Sequence, residues 1–371
     1  LEMKRNIKNT PKFAVLGAGN SGQTLTAVIA SKGFSVKLWN RSSKTVDILN
    51  EKGSFEITGL INGFFKADLI TTDIEKAIEN TDVILVATPS LAHRNVAKTV
   101  APYLTESQTI ILNPGATGGA LEFRNILDQH NISKKIAIAE AENFIYICRA
   151  VETGKVFLKA IKEKCYFSTL PATELDRVTE LLHHLHSQFT ATSNVLTTSL
   201  NYINGMVHPV PLLFNTARAE DPNVEYLHYT EGISPSIAAY IERLDSERMA
   251  LGQELELEVN SLLDWWRTNY NEPTATSLMD FLEKTHVYDE ITAPNTIEHR
   301  YIFEDVPFSL VPLSNIGKLL NIPTPCTDAF INLVCAFFDV DFWKEGRTIE
   351  SLGLSGMTVE EIKKYIETGI K

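Results

Sequence analysis

His208 lies within LNYINGMVHPVPLLFN, residues 200–215, and no other obvious acid or base accompanies it in that apolar stretch. Histidine takes up and releases protons near neutral pH more readily than other side chains. Pro209 disfavours helical geometry at the preceding residue and suits the first turn of a helix, so we expect His208 to project from a helix start. The stretch predicts a proton carrier, and a histidine packed into the core is the alternative.

A second group of polar residues lies in HRYIFEDVPFSLVPLSNIGKLLNIPTP, residues 299–325. Arg300 and Asp305 occur there among aromatic residues and leucines. Charged side chains in such surroundings need partners, because burying an unpaired charge is costly. The alternatives are a structural ion pair that joins two helices and two groups that serve a reaction.

Three glycines near the amino terminus have the spacing of a dinucleotide-binding loop. Gly17, Gly19 and Gly22 follow an apolar run at 13–16 and precede a segment with helical spacing, which is the context that makes GxGxxG specific. Gly17 allows the tight turn, Gly19 lets the backbone approach a pyrophosphate, and Gly22 lets the helix pack closely on the strand. We expect the helix that begins near Asn20 to direct free N–H groups at the phosphates.

The residues after the second predicted strand indicate which dinucleotide is bound. An Asp or Glu at that place accepts hydrogen bonds from the ribose of NAD(H), whereas this chain has Asn40, Arg41, Ser42 and Lys44. A guanidinium pairs with a 2′-phosphate through charge-assisted hydrogen bonds, so the sequence favours NADP(H). The alternative is that Arg41 and Lys44 are solvated loop charges and that Asn40 accepts NAD(H).

Further strands are predicted at 81–90, 109–121 and 134–149, and one or two edge strands at 155–171. Ligands of open α/β sheets bind beyond the carboxyl ends of the strands. We therefore expect three segments to line the nicotinamide side of a cleft: Thr88, Pro89 and Ser90; Asn113 to Gly115; and Glu140 to Asn143, which includes Glu142.

The composition limits the classes of partner. Of 371 residues, 44% are hydrophobic and 22% are charged, which is typical of a globular chain long enough for two domains. A formal net charge of −12 without a Lys/Arg block argues against nucleic acid and anionic membranes. The four cysteines form no CxxC pair, which favours the reducing cytoplasm. We also expect no membrane span, because no apolar run reaches about 18 residues.

A change in the periodicity of apolar residues divides the chain into two parts. Strand alternation stops near residue 193, and helical periodicity follows it. We predict an α/β plus all-α chain, with an N-terminal Rossmann-type dinucleotide-binding domain over 1–192 and a C-terminal all-helical substrate domain over 193–371. A short hinge at 190–197 and a substrate cleft between the domains complete this prediction.

Three histidines fall in the amphipathic segment 174–189: His183, His184 and His186. His183 and His186 are i, i+3 neighbours on the predicted helix, but no carboxylate signature of a metal site accompanies them. We therefore predict a surface helix there and no metal site in the chain.

Stretches spread over nearly the whole chain carry a family resemblance: VLGAGNSGQTLTAVIASKGFSVKLWNR, LNPGATGGALEF, AEAENFIYICR, NGMVHP, LDSERMALGQ, HRYIFEDVPFSLVPLSNIGKLLNIPTP and GRTIESLGL. They resemble the octopine/nopaline (opine) dehydrogenases, including the bacterial N-(1-carboxyethyl)norvaline dehydrogenase type. The resemblance implies an enzyme that joins an amino acid to a 2-oxo acid, pyruvate by default, and reduces the product with NAD(P)H. It also implies that His208 is the acid/base, Asp305 its partner and Arg300 the anchor of a substrate carboxylate. Asn204, from the NxxxHP element, and Glu142 are further candidate substrate contacts.

The chemistry of reductive condensation suits these side chains. The reaction needs an amine freed of its proton, then loss of water, then hydride transfer to an imine, and a histidine can take and return those protons. A carboxylate at Asp305 fixes the tautomer of such a histidine and stabilises its charged form. Arg300 can hold the carboxylate of a 2-oxo acid through two parallel hydrogen bonds.

Two other functions stay open at this point. One is another NADP-dependent reductase on the same architecture, of the ketopantoate or hydroxy-acid type, which reduces a carbonyl without an amine. The other is a catalytically silent NADP(H)-binding redox sensor. In each reading the expected partners are small molecules, and a homodimer is one assembly that the sequence allows.

Overall fold

The computed structural model describes residues 10–132 and 135–371. The first of two compact units comprises the chain up to Gly115, Gly119–Val195 and Lys364–Lys371, and the second comprises Ala116–Gly118 and Leu196–Lys363. The domains predicted at 1–192 and 193–371 differ from this division in three short segments, 116–118, 193–195 and 364–371. The end of the chain joins the first unit because Tyr365, which is fully buried, and Gly369, which lies against Pro171, pack there.

The first unit is built on two sheets. Its strands are β1 (Phe13–Leu16), β2 (Val36–Trp39), β3 (Phe55–Gly59), β4 (Gly63–Phe65), β5 (Leu69–Thr71), β6 (Val83–Val86), β7 (Thr109–Leu112), β8 (Ala137–Ala141), β9 (Tyr146–Glu152), β10 (Lys155–Ile161), β11 (Cys165–Leu170) and β12 (Phe189–Ala191). The larger sheet has the order β12-β11-β8-β7-β6-β1-β2-β5, and the smaller has the order β4-β3-β10-β9. Strands β5, β2, β1, β6, β7 and β8 run parallel, as expected of a doubly wound dinucleotide-binding fold.

The register of the larger sheet brings the predicted cofactor residues together. Leu16 at the end of β1 is paired with Trp39 of β2 on one side and with Val86 of β6 on the other. The residues that follow these strands therefore emerge side by side at one sheet edge. The strands are short and fully or nearly fully buried, which is why each reads as a compact apolar run.

Two strand predictions need correction. The single strand predicted at 134–149 is two strands, β8 and β9, which belong to different sheets, and Lys134 lies outside the described residues. The irregular residues 142–145 between the two strands contain neither glycine nor proline, so the sequence gives no strong turn signal there. The predicted edge strands are interior ones, because β10 lies between β3 and β9 and β11 lies between β12 and β8.

Helices of the first unit cover the larger sheet and the smaller one. They are α1 (Asn20–Ser31), α2 (Ser43–Lys52), α3 (Ile74–Ile78), α4 (His93–Val100), α5 (Gly119–Gln129) and α6 (Leu175–His183). The surface helix predicted at 174–189 is right for α6 but wrong for His186. That side chain is buried, and its Nε2 lies 2.8 Å from the Tyr146 hydroxyl.

The second unit is helical, as predicted, apart from one isolated bridge between Leu227 and Thr292. Its helices are α7 (Val195–Leu200), α8 (Asn204–Val207), α9 (Pro209–Phe214), α10 (Thr216–Ala219), α11 (Pro235–Glu254), α12 (Leu262–Asn269), α13 (Leu278–Lys284), α14 (Arg300–Phe303), a π-helical turn at Val306–Leu310, α15 (Val311–Leu320), α16 (Pro325–Phe338), α17 (Phe342–Glu345), α18 (Ile349–Leu352) and α19 (Val359–Thr368), which ends in the first unit. No helix in the described part of the chain is long and apolar enough to cross a membrane.

Candidate active site

The glycine loop after β1 has the geometry that its spacing predicts. Gly17 adopts a φ of +106°, in the left-handed region, and its N–H donates to the Trp39 carbonyl at 2.8 Å. A Cβ on Gly22 would lie 1.7 Å from the Gly17 carbonyl oxygen, so only glycine allows α1 to start so close to the strand. Apart from the adjoining residues of the chain, no described atom lies within 4 Å of the place of a Cβ at Gly19. The backbone at Gly19 therefore stays open to a phosphate group, as predicted.

Two asparagines among the predicted cofactor-binding residues brace this loop through their side chains. The Asn20 side chain bridges to strand β9, where it donates to the Cys148 carbonyl at 3.1 Å and accepts from the Ala150 N–H. The Asn40 side-chain oxygen accepts from the Ala18 N–H at 3.0 Å. Both side chains hold the loop to neighbouring strands, and the cofactor contacts predicted at Asn20 and Asn40 stay predictions.

The exposed residues after β2 form a small cationic surface. Arg41, Ser42 and Lys44 are exposed, and Ser42 is the N-cap of α2. Neither cation is ion-paired with a described residue, and the Ser42 hydroxyl makes no capping hydrogen bond. A helix amino terminus flanked by unpaired cations attracts anionic groups. The NADP(H) preference predicted from these residues stays a prediction.

Unpartnered polar groups at the ends of β6 and β7 indicate where a ligand fits. The Thr88 hydroxyl and both polar atoms of the Asn113 side chain are buried, and none has a hydrogen-bond partner among the described residues. Asn113 is only 2% exposed. Buried polar groups are nearly always paired, so these atoms suit contacts with a bound dinucleotide. Thr88 was predicted for this role, whereas Asn113 was predicted only as part of a lining segment, and Pro89 is exposed beside Thr88.

His208 and Asp305 meet in the helical unit. The His208 Nδ1 lies 2.8 Å from Asp305 Oδ2, and both side chains are buried, at 10% and 1% exposed. An ionised carboxylate only accepts, so Nδ1 carries the proton and Nε2 keeps a lone pair in the neutral ring. The hydrogen bond predicted between these residues is present. Asp305 does not form the alternative ion pair with Arg300, whose carboxylate partner is Glu304.

Tyr202 completes the environment of Asp305 and was not anticipated from sequence. Its hydroxyl donates to Asp305 Oδ1 at 3.0 Å, so each carboxylate oxygen has one donor. Burial and the adjacent Asp305 charge hold the pKa of Tyr202 well above its ordinary value, which keeps the hydroxyl protonated. Asn204 lies close enough to Tyr202 to oppose this rise in pKa, and the substrate contact predicted for Asn204 stays a prediction.

The backbone at His208 differs from the expectation. Its φ of −94° and ψ of −61° are helical, although Pro209 follows. The His208 N–H donates to the Asn204 carbonyl at 3.0 Å, which ends α8, and Pro209 begins α9 at once. His208 does stand at a helix start, but the contacts of α8 override the local preference against helix before proline, and its side chain is buried rather than projecting outward.

Arg300 remains accessible at the start of α14. Its side chain is 59% exposed, and its Nε lies 3.4 Å from a carboxylate oxygen of Glu304, which is 9% exposed. A guanidinium has five donor hydrogens, so one contact at this distance leaves donors for a ligand carboxylate. Glu304 was not predicted, although it lies within the RYxxED element that carries Arg300 and Asp305.

A tyrosine lies at the centre of three histidines beside Asp305. The ring of Tyr301 stacks on His208, with centroids 4.0 Å apart and planes inclined by 15°. His299 and His228 lie 4.6 and 4.9 Å from the Tyr301 ring. His228 is fully buried, and its Nε2–H donates to the Val207 carbonyl at 3.1 Å. Burial, with the nearby His208 charge, lowers the pKa of His228 to about 3, so His228 stays neutral.

The neutral state of His228 predicts a pH effect on stability. In the unfolded chain its pKa returns to about 6.5, so below that pH the unfolded state binds a proton that the folded state does not. Folding stability should therefore fall as the pH drops from 7 to 5, with about 2 kcal/mol of the loss due to His228. Urea unfolding of wild type and His228→Gln at both pH values measures this. Equal losses in the two proteins would contradict the assignment.

Glu142, one of the predicted substrate contacts, is buried in the first unit. Glu142 is 3% exposed. Burial lowers the pKa of Lys162, and the nearby Glu142 charge only partly opposes that change. The substrate contact predicted for Glu142 stays a prediction.

Within residues 10–132 and 135–371, no group of three or more His, Cys, Asp and Glu side chains is arranged to hold a metal ion.

Comparisons with known proteins bear on both units. Residues 191–338 match the family described as NAD/NADP octopine/nopaline dehydrogenase, alpha-helical domain, and residues 12–137 match NAD-dependent glycerol-3-phosphate dehydrogenase N-terminus. The chain is 39% identical over 356 residues to an opine dehydrogenase of Arthrobacter sp. (strain 1C), a match that covers 96% of this chain and 98% of that protein.

Two solved structures share the fold. A structure of octopine dehydrogenase with NADH and pyruvate superposes with a TM-score of 0.79 at 20% identity, covering 98% of this chain and 99% of the other. A structure of yersinopine dehydrogenase with bound NADP+ superposes with a TM-score of 0.74 at 17% identity, covering 96% and 98%.

Proposed function

The chain belongs to the octopine/nopaline (opine) dehydrogenase family, and from that premise we propose how its own residues carry out the reaction. It is an oxidoreductase of the opine dehydrogenase type with an NAD(P)-binding domain. The proposed reaction is condensation of an amino acid with a 2-oxo acid, pyruvate by default, followed by reduction of the imine at the expense of NADPH. The observation that carries this proposal is the buried His208–Asp305 hydrogen bond, which leaves Nε2 as the free proton acceptor.

Cofactor binding is assigned to the first unit. The open backbone at Gly19 and the amino terminus of α1 suit the pyrophosphate, and the buried Thr88 and Asn113 polar atoms suit the nicotinamide half. Arg41, Ser42 and Lys44 suit a 2′-phosphate. When bound, the reduced cofactor supplies the hydride, and the protein orients the reacting partners.

Proton transfer is assigned to His208. Its Nε2 takes a proton from the ammonium group of the amino acid, which frees the nitrogen lone pair to attack the carbonyl carbon of the 2-oxo acid. The same imidazolium then gives the proton to the carbinolamine hydroxyl, which leaves as water as the C=N bond forms. Asp305 stabilises the charged ring between these steps and holds the tautomer, while Tyr202 holds Asp305.

Arg300 is proposed to anchor the carboxylate of the 2-oxo acid. Arg300→Lys should raise KM for the 2-oxo acid by about tenfold, because an ammonium cannot make two parallel hydrogen bonds. The KM for NADPH should stay unchanged. Arg243→Lys, at an exposed position of α11, is the matched control. Steady-state kinetics with each substrate varied in turn measure the effect, and an unchanged 2-oxo acid KM in Arg300→Lys would remove this role.

The preference for NADPH is proposed to depend on Arg41. Arg41→Ala should weaken NADPH binding by roughly 10- to 100-fold, the loss expected for a hydrogen bond between charged groups, and NADH binding should change little. Fluorescence titration with both cofactors measures this. Lys98→Ala, another exposed cation in the same unit, serves as the control. A wild-type protein that prefers NADH in kcat/KM would contradict the proposal.

The amine requirement distinguishes this function from the alternatives. We expect NADPH oxidation only when a 2-oxo acid and an amino acid are both present. A ketopantoate-type or hydroxy-acid reductase oxidises NADPH with the carbonyl substrate alone. A catalytically silent redox sensor does not oxidise NADPH under either condition. Initial rates with pyruvate, with and without a panel of amino acids, separate the three. Gel filtration with light scattering tests the homodimer, which stays a prediction.

A further inference from the structure

A cleft of about 660 Å³ lies in the helical unit, beside the group formed by Tyr301 and the three histidines around it. Its walls come from two segments, 222–226 and 292–295, and His299 and Tyr301 also line it. This volume lies in the range of small-molecule binding sites, and it leaves room for a ligand larger than a three-carbon acid.

The two wall segments are tied to each other through their backbones. The Ala293 N–H donates to the Tyr226 carbonyl at 2.8 Å, and the His228 N–H donates to the Ile291 carbonyl at 2.8 Å. The bridge between Leu227 and Thr292 lies between these two hydrogen bonds. The cleft is therefore bounded by paired backbone rather than by two independent loops.

Tyr301 connects the cleft with the proposed acid/base. Its ring lines the cleft and also stacks on His208, with the ring centroids 4.0 Å apart. A molecule that contacts Tyr301 is therefore separated from the His208 imidazole by the tyrosine ring alone. The edges of Tyr301 are held by His228 and His299. A shift of this tyrosine would disturb the orientation of His208.

The Tyr301 hydroxyl is available to a ligand. It makes no hydrogen bond with any residue in 10–132 or 135–371. Burial raises the pKa of Tyr301, so the group remains a donor at neutral pH. A tyrosine with its ring fixed and its hydroxyl unpaired provides a directed polar contact at low entropic cost.

The charges around the cleft favour one of the two substrates. No lysine or arginine is among the described lining residues, and Glu225 is the one carboxylate there. Arg218 is not a lining residue; its guanidinium lies 4.1 Å from the centroid of the Tyr226 ring and 3.9 Å from Glu231. A 2-oxo acid needs a cation for its carboxylate, which Arg300 supplies, whereas neutral polar groups and tyrosine rings suit an amino-acid side chain.

We propose that this cleft takes the side chain of the amino-acid substrate, uncharged or cationic rather than acidic, and that Tyr301 both contacts that substrate and positions His208. The proposal rests on the proposed function, because it assigns the two substrates of that reaction to different parts of the helical unit: the 2-oxo acid to Arg300 and the amino-acid side chain to the cleft. It adds a specificity-determining surface, Tyr226, Ala293, Asn295 and Tyr301, to the residues that move protons.

Two variants of Tyr301 separate its roles. Tyr301→Phe keeps the stacked ring and removes the hydroxyl, so KM for the amino acid should rise about 3- to 10-fold, while KM for pyruvate and for NADPH and kcat stay within about twofold. Tyr301→Leu removes the stack as well, so kcat should fall by roughly tenfold or more. Tyr229→Phe is the control, because this buried tyrosine has its ring against His228 and is not among the residues that line the cleft; it should behave as wild type.

A third variant tests the cleft by its volume. Ala293→Phe keeps the backbone hydrogen bond to Tyr226 and fills part of the cleft. The ratio of kcat/KM for leucine or arginine to that for alanine should fall by about tenfold, and glutamate should be the poorest substrate of wild type. An unchanged ratio in Ala293→Phe, or a Tyr301→Phe variant altered in pyruvate KM rather than amino-acid KM, would overturn the proposal. A wild type without amine-dependent NADPH oxidation would instead reject the proposed function itself.

Discussion

His208→Ala should lower kcat by roughly two to four orders of magnitude, with NADPH affinity and the midpoint of thermal unfolding nearly unchanged. The range is the one expected when a positioned acid/base is removed. The free Nε2 of His208 is the proposed acceptor of the ammonium proton, and alanine leaves that proton to solvent. Stopped-flow measurement of NADPH oxidation at saturating substrates, together with cofactor titration and thermal unfolding, checks the three expectations.

The chain offers a matched control for this experiment. His286 also lies 2.8 Å from an aspartate, Asp289, through Nδ1, but its side chain is 90% exposed. The pair has the geometry of His208–Asp305 without its burial, so His286→Ala should behave as wild type. A His208→Ala protein that turns over near normally but unfolds early would show that His208 is a core residue.

Asp305→Asn should lower kcat by roughly 10²- to 10⁴-fold, as expected when an orienting carboxylate behind a catalytic histidine becomes an amide. An amide can donate to Nδ1, which places the proton on Nε2 and removes the acceptor that the reaction needs. The neutral amide also no longer stabilises the imidazolium. The hydrogen bond from Tyr202 can persist, so the fold should be retained.

The effect of Asp305 is expected to act through His208. The double variant His208→Ala/Asp305→Asn should therefore be no slower than His208→Ala alone, because residues that act as a unit are not additive. The same steady-state assay measures this, and Asp289→Asn is the control. Multiplicative losses in the double variant would contradict a shared role.

The cofactor half of the site could be predicted from sequence because its determinants are local. The spacing of Gly17, Gly19 and Gly22 dictates the turn and the helix approach, and the structure has both. The side-chain contacts within the loop could not be predicted, because they depend on tertiary structure. Asn20 and Asn40 lie in the expected places, and their side chains are hydrogen-bonded to the Ala150 and Ala18 N–H groups.

The helical half was less accessible to sequence reasoning. His208 and Asp305 were singled out because polar residues in apolar stretches are conspicuous, and the family resemblance joined them. Tyr202 and Tyr301 gave no such signal, since tyrosines in a helical domain are ordinary core residues. Their roles depend on contacts between segments distant in the chain, which no local spacing encodes.

Mass spectrometry of the product tests the central claim most directly. The enzyme is supplied with NADPH, 13C-labelled pyruvate and a 15N-labelled amino acid that supports NADPH oxidation. The account predicts one product that contains both labels in a secondary amine, formed in equal amount to the NADPH consumed, and none from His208→Ala on the same timescale. A product with the 13C label alone, as the 2-hydroxy acid, would contradict the account and identify a carbonyl reductase.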